Sequence, residues 1–162
     1  MRMGRGVEWA LHTCTVLALL PDGTAMPSAR LAEFHGVPGA YLAKQLQAMA
    51  AAGIVESVPG RKGGYRLAKP ARKVTLLEVL EAVDGGEPAF RCTEIRQRGP
   101  AQVDPGCYSK TCGIARAMWA AESAWRAELR KRTVADLIEG LAADVHPEAA
   151  VKAAAWFQEV LR

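Results

Sequence analysis

The stretch IVESVPGRKGGYRLA, residues 54–68, narrows the fold of this chain more than any other. Two short strand-like runs, 54–58 and 64–68, flank PGRKGG, and a glycine-rich tip between such runs marks a hairpin. Gly60, Gly63 and Gly64 let that tip turn tightly, and their missing side chains permit a close approach. The region is also basic. Between Ser57 and Leu77 the chain carries Arg61, Lys62, Arg66, Lys69, Arg72 and Lys73 and no acid.

Three helical stretches precede the hairpin. The first, 6–20, is apolar on nearly every side and stops at PDG, a turn signal. The second, SARLAEFHG, has Ser28 as a good N-cap, Leu31 and Phe34 on an apolar side, and Gly36 as its stop. In the third, VPGAYLAKQLQAMAAAG, Leu42, Leu46 and Met49 fall at i, i+4 and i+7 and face inward. Ala40, Tyr41, Lys44 and Gln47 then face outward, and Gly53 ends the helix. Helix, short helix, helix, basic hairpin is the layout of a winged helix. The expected fold is mostly α with a small β-hairpin wing: a winged helix-turn-helix followed by a long helix. In that layout the third helix enters the major groove and presents side chains to base edges. The hairpin lies along the neighbouring backbone, where Lys and Arg neutralise phosphates and release counterions. Lys44 and Gln47 are the candidate base readers and Tyr41 a candidate phosphate contact. Arg61 and Lys62 are candidates at the wing tip, and Ser28 and Ala40 complete the DNA-facing set. A basic stretch alone is often a solvated face; the order of elements makes double-stranded DNA the better reading.

The remaining elements follow from local signals. Thr75 and Glu78 form a capping box for LLEVLEAVDGG. Residues 87–106 lack periodicity and read as a loop. A long helix is predicted over 113–131, with Ile114, Met118, Trp125 and Leu129 as its apolar stripe, and a shorter one follows behind Thr133. After HPE, residues 149–162 form a small amphipathic helix through Val151, Trp156, Val160 and Leu161. The expected organisation is 1–85 for DNA binding, 86–112 as a cysteine-bearing loop, 113–144 as a long and a shorter helix, and 145–162 as a helical extension. Half of the 162 residues are apolar, enough for a real core. The net charge of +4 is a mild basic excess and adds little. No apolar run reaches the ~18 residues of a membrane span. No secretory cleavage signature opens the chain. No triad, nucleophile motif or cofactor loop is present. A cytoplasmic protein that is neither an enzyme nor a membrane protein is expected.

Four cysteines remain to be placed. Cys14 lies inside the apolar first helix and reads as core. Cys92, Cys107 and Cys112 crowd a short span, which in a reducing compartment points to ligation or redox chemistry. Cys107 and Cys112 stand just ahead of a predicted helix, whose N-terminus favours thiolate. Glu8 and His12 lie one turn apart on the first helix, and charged groups on a buried face are costly unless paired or bound to a metal. Residues alone leave several outcomes: a surface or hydrogen-bonded Glu8–His12 pair, a reversible Cys107–Cys112 disulfide, a zinc shared with His12, or an iron–sulfur cluster. His35 and His146 read as exposed residues without a role. Trp119, Trp125 and Trp156 read as core or interface.

Residues 28–85, and above all YLAKQLQ and GRKGGYRLA, resemble the winged-helix half of the Rrf2 family of bacterial transcription regulators. VEWALH and PAFRCTEIRQRGP resemble its redox-sensing iron–sulfur branch. The resemblance is strong over 6–85 and weaker through the cysteine region and the long helix. It implies a homodimer formed by exchange of long helices, with 113–144 as the dimerisation segment and 86–112 as the sensor loop, binding an imperfect palindrome as a repressor. It further implies an iron–sulfur cluster, [2Fe-2S], held between subunits. Glu8 and His12 of one subunit would then join two cysteines of the other. Cys107 and Cys112 are the first choice, with Cys92 as the substitute. Trp9, between Glu8 and His12, becomes the candidate switch. Three features depart from the pattern. Helix three opens with VPGA where relatives often carry hydroxyl side chains. The cysteines are separated by fourteen and then four residues, a less even spacing than in relatives. The tail beyond Asp144 has no counterpart.

Overall fold

A computed structural model describes residues 3–60 and 63–161. In chain order the elements are α1 (Arg5–Ala18), α2 (Ser28–His35), α3 (Gly39–Ala51), β1 (Val55–Val58), β2 (Gly64–Leu67), α4 (Leu76–Asp84), α5 (Gly113–Lys131), α6 (Val134–Asp144) and α7 (Pro147–Val160). This is the expected mostly α architecture with a hairpin wing.

The core sits where α1, α2, α3 and α4 meet the root of the hairpin. Ala10, Cys14 and Leu17 enter it from α1, Leu31 from α2, Val79 from α4, and Ile54 and Val55 from the hairpin. Leu42, Leu46 and Met49 of α3 are fully buried, as their spacing demands. Each such side chain contributes about 1.5–3 kcal/mol by leaving water. The Cys14 thiol donates to Met49 Sδ at 3.6 Å. Burial pushes its pKa up to about 12, so it is an inert core residue.

The start of α2 differs from the expectation. Ser28 is its first helical residue and makes no capping bond; Pro27 holds the N-cap position. The cause is long-range. Met26 bridges to Tyr65 of the wing through paired 2.9 Å backbone hydrogen bonds. That bridge holds the chain extended into Pro27, whose carbonyl accepts from Arg30 and Leu31 N–H. Gly36 ends α2 as expected, with φ of 62°.

The hairpin pairs Val55 with Leu67, Glu56 with Arg66, Ser57 with Tyr65 and Val58 with Gly64. Gly64 has φ of 152°, and a Cβ there would collide with the Met26 backbone. Gly64→Ala is therefore expected to destabilise the protein by about 1–3 kcal/mol, since backbone cannot move aside as a side chain can. Chemical denaturation checks this, and an unchanged midpoint would contradict it.

Thr75 and Glu78 form the expected capping box at α4, and Thr133 with Asp136 forms a second at α6. The two caps meet. Thr75 bridges Thr133, Leu76 N–H donates to Arg132 O, and Val134 N–H donates to Val74 O, both at 2.9 Å. This pins α6 back onto the winged-helix body after α5 has run out from it. Of the residues of α5, Ala115 is buried, Trp125 and Leu129 are half-buried, and Ile114, Met118 and Trp119 are exposed.

The C-terminal segment begins its helix at Pro147, two residues earlier than expected, and folds back on α2. Trp156 and Phe157 set their rings 4.9 and 5.0 Å from that of Phe34. His146, expected to have no role, caps α7 by accepting from Glu148 N–H. Among the described residues no helix is long and apolar enough to cross a membrane.

Candidate functional site

Two regions carry the functional side chains. The first is the outer face of α3. Its inward stripe is fixed by Leu42, Leu46 and Met49, so Ala40, Tyr41, Lys44 and Gln47 are left exposed on one side. Ser28 is half-buried at the start of α2. Arg61 and Lys62 lie outside the described residues. The basic stretch is partly neutralised from outside its own span: Arg66 pairs with Glu56 at 2.6 Å and Lys69 with Glu78 at 2.7 Å. Arg72 and Lys73 remain exposed.

The second region is the cysteine loop. One ligand atom each from Cys92, Glu94 and Cys112 lie within 4.8 Å of one another. Cys107, expected beside Cys112, stands exposed in a short turn and is not in this group. The loop's internal bonds explain the choice. Arg96 stacks over the Tyr108 ring at 4.7 Å, Tyr108 O–H donates to Arg96 O at 2.6 Å, and Arg96 Nη2 donates to Lys110 O. This clasp draws 94–96 against 108–112 and carries Cys92 toward Cys112. Asp104 meanwhile accepts from Gly106 and Cys107 N–H and closes a tight turn that points Cys107 outward. Glu94 escaped the sequence reading; the only signal was an acid two positions after a loop cysteine.

Cys112 occupies the N-cap position of α5. Its thiol lies below the usual pKa, first through the influence of the nearby Ala115 N–H. Partial burial opposes this, while Ile114 N–H and the Arg96 charge add to it. The result favours the thiolate, the form that binds metals.

Glu8 and His12 are exposed, not buried, because α1 buries the side bearing Val7, Ala10, Cys14 and Leu17. They line an open groove with Leu11 of α1 and Leu137, Leu141 and Asp144 of α6. Neither joins the Cys92–Glu94–Cys112 group within one chain. Trp9, between them, sets its ring edge-on to Tyr41 of α3, centroids 6.3 Å apart. His35, expected to be exposed, is half-buried with its ring 6.0 Å from His12. Burial, and then the His12 charge, lower its pKa.

An exposed helix face beside a hairpin wing, joined to a loop with two adjacent thiols, is the layout of a winged-helix protein with an appended cysteine loop. Residues 3–140 match the model of the Rrf2 family, described as an iron-dependent transcriptional regulator. The chain belongs to the Rrf2 family, and it is a transcriptional regulator, not an enzyme. It is 29% identical over 141 residues to MT1325 of Mycobacterium tuberculosis, named as an HTH-type transcriptional regulator, covering 86% of this chain and 83% of that one. It is 36% identical over 85 residues to YwgB of Bacillus subtilis, likewise named, and spans 54% of that protein's length. Among solved structures, IscR of T. potens has a TM-score of 0.66 at 18% identity, covering 90% of this chain and 93% of that one. CymR, the global cysteine regulator of B. subtilis, has a TM-score of 0.62 at 18% identity, covering 86% and 97%. At such identities the two structures speak for the fold alone.

Proposed function

We propose that this protein is a homodimeric repressor whose grip on a palindromic operator is set by a [2Fe-2S] cluster shared between subunits. Cys92 and Cys112 of one subunit and Glu8 and His12 of the other would hold it. The observation that carries this reading is the division of the donors. A two-iron cluster needs four protein ligands. Within one chain, two thiols stand together while an exposed carboxylate and imidazole stand together elsewhere. Each pair is half a site. The donor set suits the group, since thiolates and imidazole are established ligands of two-iron centres.

A second copy also answers the exposed apolar surface. Ile114, Met118 and Trp119 of α5 are between 43% and 68% exposed, and the α1–α6 groove beside Glu8 and His12 is lined by Leu11, Leu137 and Leu141. Laying the α5 of one copy along that groove of the other would cover both surfaces, and the cysteine loop, which ends at the start of α5, would come with it toward Glu8 and His12. In this organisation 1–85 reads DNA, 86–112 carries the thiols and 113–144 builds the dimer. The free thiols suit the reducing cytoplasm.

When bound, such a cluster supplies a one-electron couple, which imidazole ligation raises relative to all-thiolate ligation. The chain transmits the change through side chains of its own. Glu8 and His12 sit on the same helix as Trp9, and Trp9 abuts Tyr41 on the DNA-reading face. A small shift of α1 therefore moves the face that carries Lys44 and Gln47. Only ~1.4 kcal/mol of differential interaction changes DNA affinity tenfold. Operator binding by anaerobically prepared protein, oxidised and then reduced, is expected to differ by about tenfold or more on this basis. Trp9→Ala is expected to keep the absorption of the centre and narrow that difference. Equal affinities in both states would refute the switch.

A second reading keeps DNA binding and uses Cys92 and Cys112 as a thiol pair without a cluster. Their proximity supports it as well. Iron and acid-labile sulfide analysis of anaerobic protein separates the two.

A further inference from the structure

The cluster reading leaves one well-placed donor unused. Glu94 brings a carboxylate oxygen within 4.8 Å of both the Cys92 and Cys112 sulfurs. Its backbone is left-handed, with φ and ψ both 51°, and it is the only non-glycine residue with positive φ among those described. That conformation is uncommon for a side chain of this kind. Here it turns the carboxylate back toward the two cysteines. We propose that, in protein that carries no cluster, Cys92, Glu94 and Cys112 of a single chain form a mononuclear site for a thiophilic divalent cation, zinc above all, with Arg96 as the positioning residue for Glu94.

The chemistry of the group matches that ion. Zinc takes thiolate at about 2.3 Å and carboxylate oxygen at about 2.0 Å in a tetrahedron, which sets its ligand atoms roughly 3.3–3.8 Å apart. Atoms within 4.8 Å reach this spacing by about 1 Å of contraction, within the scope of side-chain rotation. All three residues are half-buried, so the fourth position is open to water. Ligating carboxylates are held by a second partner. Arg96 supplies it, donating from Nε to one Glu94 oxygen at 2.8 Å and from Nη2 to the other at 2.7 Å. Each oxygen keeps a lone pair for the metal. Arg96 is itself fixed by the Tyr108 ring and Lys110 O. Two thiolates, a carboxylate, the guanidinium and a divalent ion sum to zero charge. The site uses the two thiols assigned above to the cluster, so the two occupants exclude each other. It does not require the partner subunit.

Cobalt(II) is the probe, titrated into full-length protein freed of iron by a chelator and kept reduced. The expected result is one cobalt per chain. It should show the strong visible bands of a tetrahedral thiolate site and a near-ultraviolet sulfur-to-cobalt transition, both removed by one equivalent of zinc. Glu94→Gln retains an oxygen for Arg96 and is expected to fold with wild-type circular dichroism; Glu94→Ala provides a second variant. Both are expected to weaken cobalt binding at least tenfold, and Arg96→Gln to weaken it less. Cys107→Ser and the Glu8→Ala/His12→Ala double variant are expected to bind cobalt normally. Absence of the thiolate–cobalt band, full affinity in both Glu94 variants, or loss of the band in the Glu8/His12 variant would each overturn the proposal. A cluster that assembles in protein unable to bind cobalt refutes this site and leaves the cluster reading intact. Cobalt binding in protein that never assembles a cluster does the reverse.

Discussion

Serine in place of Cys112 is expected to strip the anaerobically prepared protein of its visible absorption and its iron, while serine in place of Cys107 leaves both unchanged. The two cysteines are five positions apart, so the contrast tests placement, not composition. Cys112 stands at the N-cap of α5, its thiol held below the usual pKa first by the nearby Ala115 N–H, and lies with Cys92. Cys107 is exposed in a turn closed by Asp104. A serine hydroxyl does not ionise near neutral pH, so the variant offers a neutral oxygen where a thiolate stood. Altered residues behind a metal ligand already lower metal affinity by about 10–100-fold, and loss of a ligand should exceed that. Cys92→Ser is expected to match Cys112→Ser. Iron and sulfide content per chain is the measurement. Retained iron in Cys112→Ser, or its loss in Cys107→Ser, would reverse the assignment.

The second large effect belongs to α3. Lys44→Ala and Gln47→Ala are each expected to weaken binding to the operator by roughly 5–150-fold, the equivalent of about 1–3 kcal/mol for a base contact. Binding to a scrambled duplex should fall far less. Arg72→Ala, at the foot of the wing, should instead weaken both duplexes alike and reduce the salt slope by about one unit. All three side chains are exposed, so the fold should tolerate the changes. Titrations of the two duplexes at several salt concentrations give both quantities. Equal losses on both duplexes for the α3 variants would assign α3 to the backbone and not to base edges.

What the sequence made legible was what short-range physics decides. The spacing of Leu42, Leu46 and Met49 sets the buried side of α3 without help from distant residues, and so sets its exposed side. The Thr75–Glu78 cap is closed within four residues. The glycine-rich tip and its flanking runs locate the wing to within a residue at each strand end. Misreadings arose where distant partners decide. Ser28 has the right chemistry for a cap, but the Met26–Tyr65 bridge moves the helix start. Glu8 and His12 stood open between a surface pair and a buried one, and the outer edge of that helix, facing a groove with α6, decides for the surface. His35 is covered in part because α7 returns to pack on Phe34 beside it. In the cysteine loop, nearness along the chain favoured Cys107 as the companion of Cys112. The structure brings Cys92, the stated substitute, near Cys112, beside the Arg96–Tyr108 clasp that spans twelve positions. Glu94 shows the same limit, because its value lies in a backbone conformation that no residue pattern displays.

The most direct test of a centre shared between subunits mixes two defective proteins. Glu8→Ala/His12→Ala protein lacks one half of each site, and Cys92→Ser/Cys112→Ser protein lacks the other. Each should be colourless as a homodimer. Subunit exchange between them creates heterodimers in which one site has all four donors and the other has none. With differently tagged chains, the purified heterodimer is expected to regain about half of the wild-type iron and visible absorption, since one of its two sites is whole. A heterodimer that stays colourless, or a Glu8→Ala/His12→Ala homodimer that binds the cluster unaided, would contradict a site built from two chains.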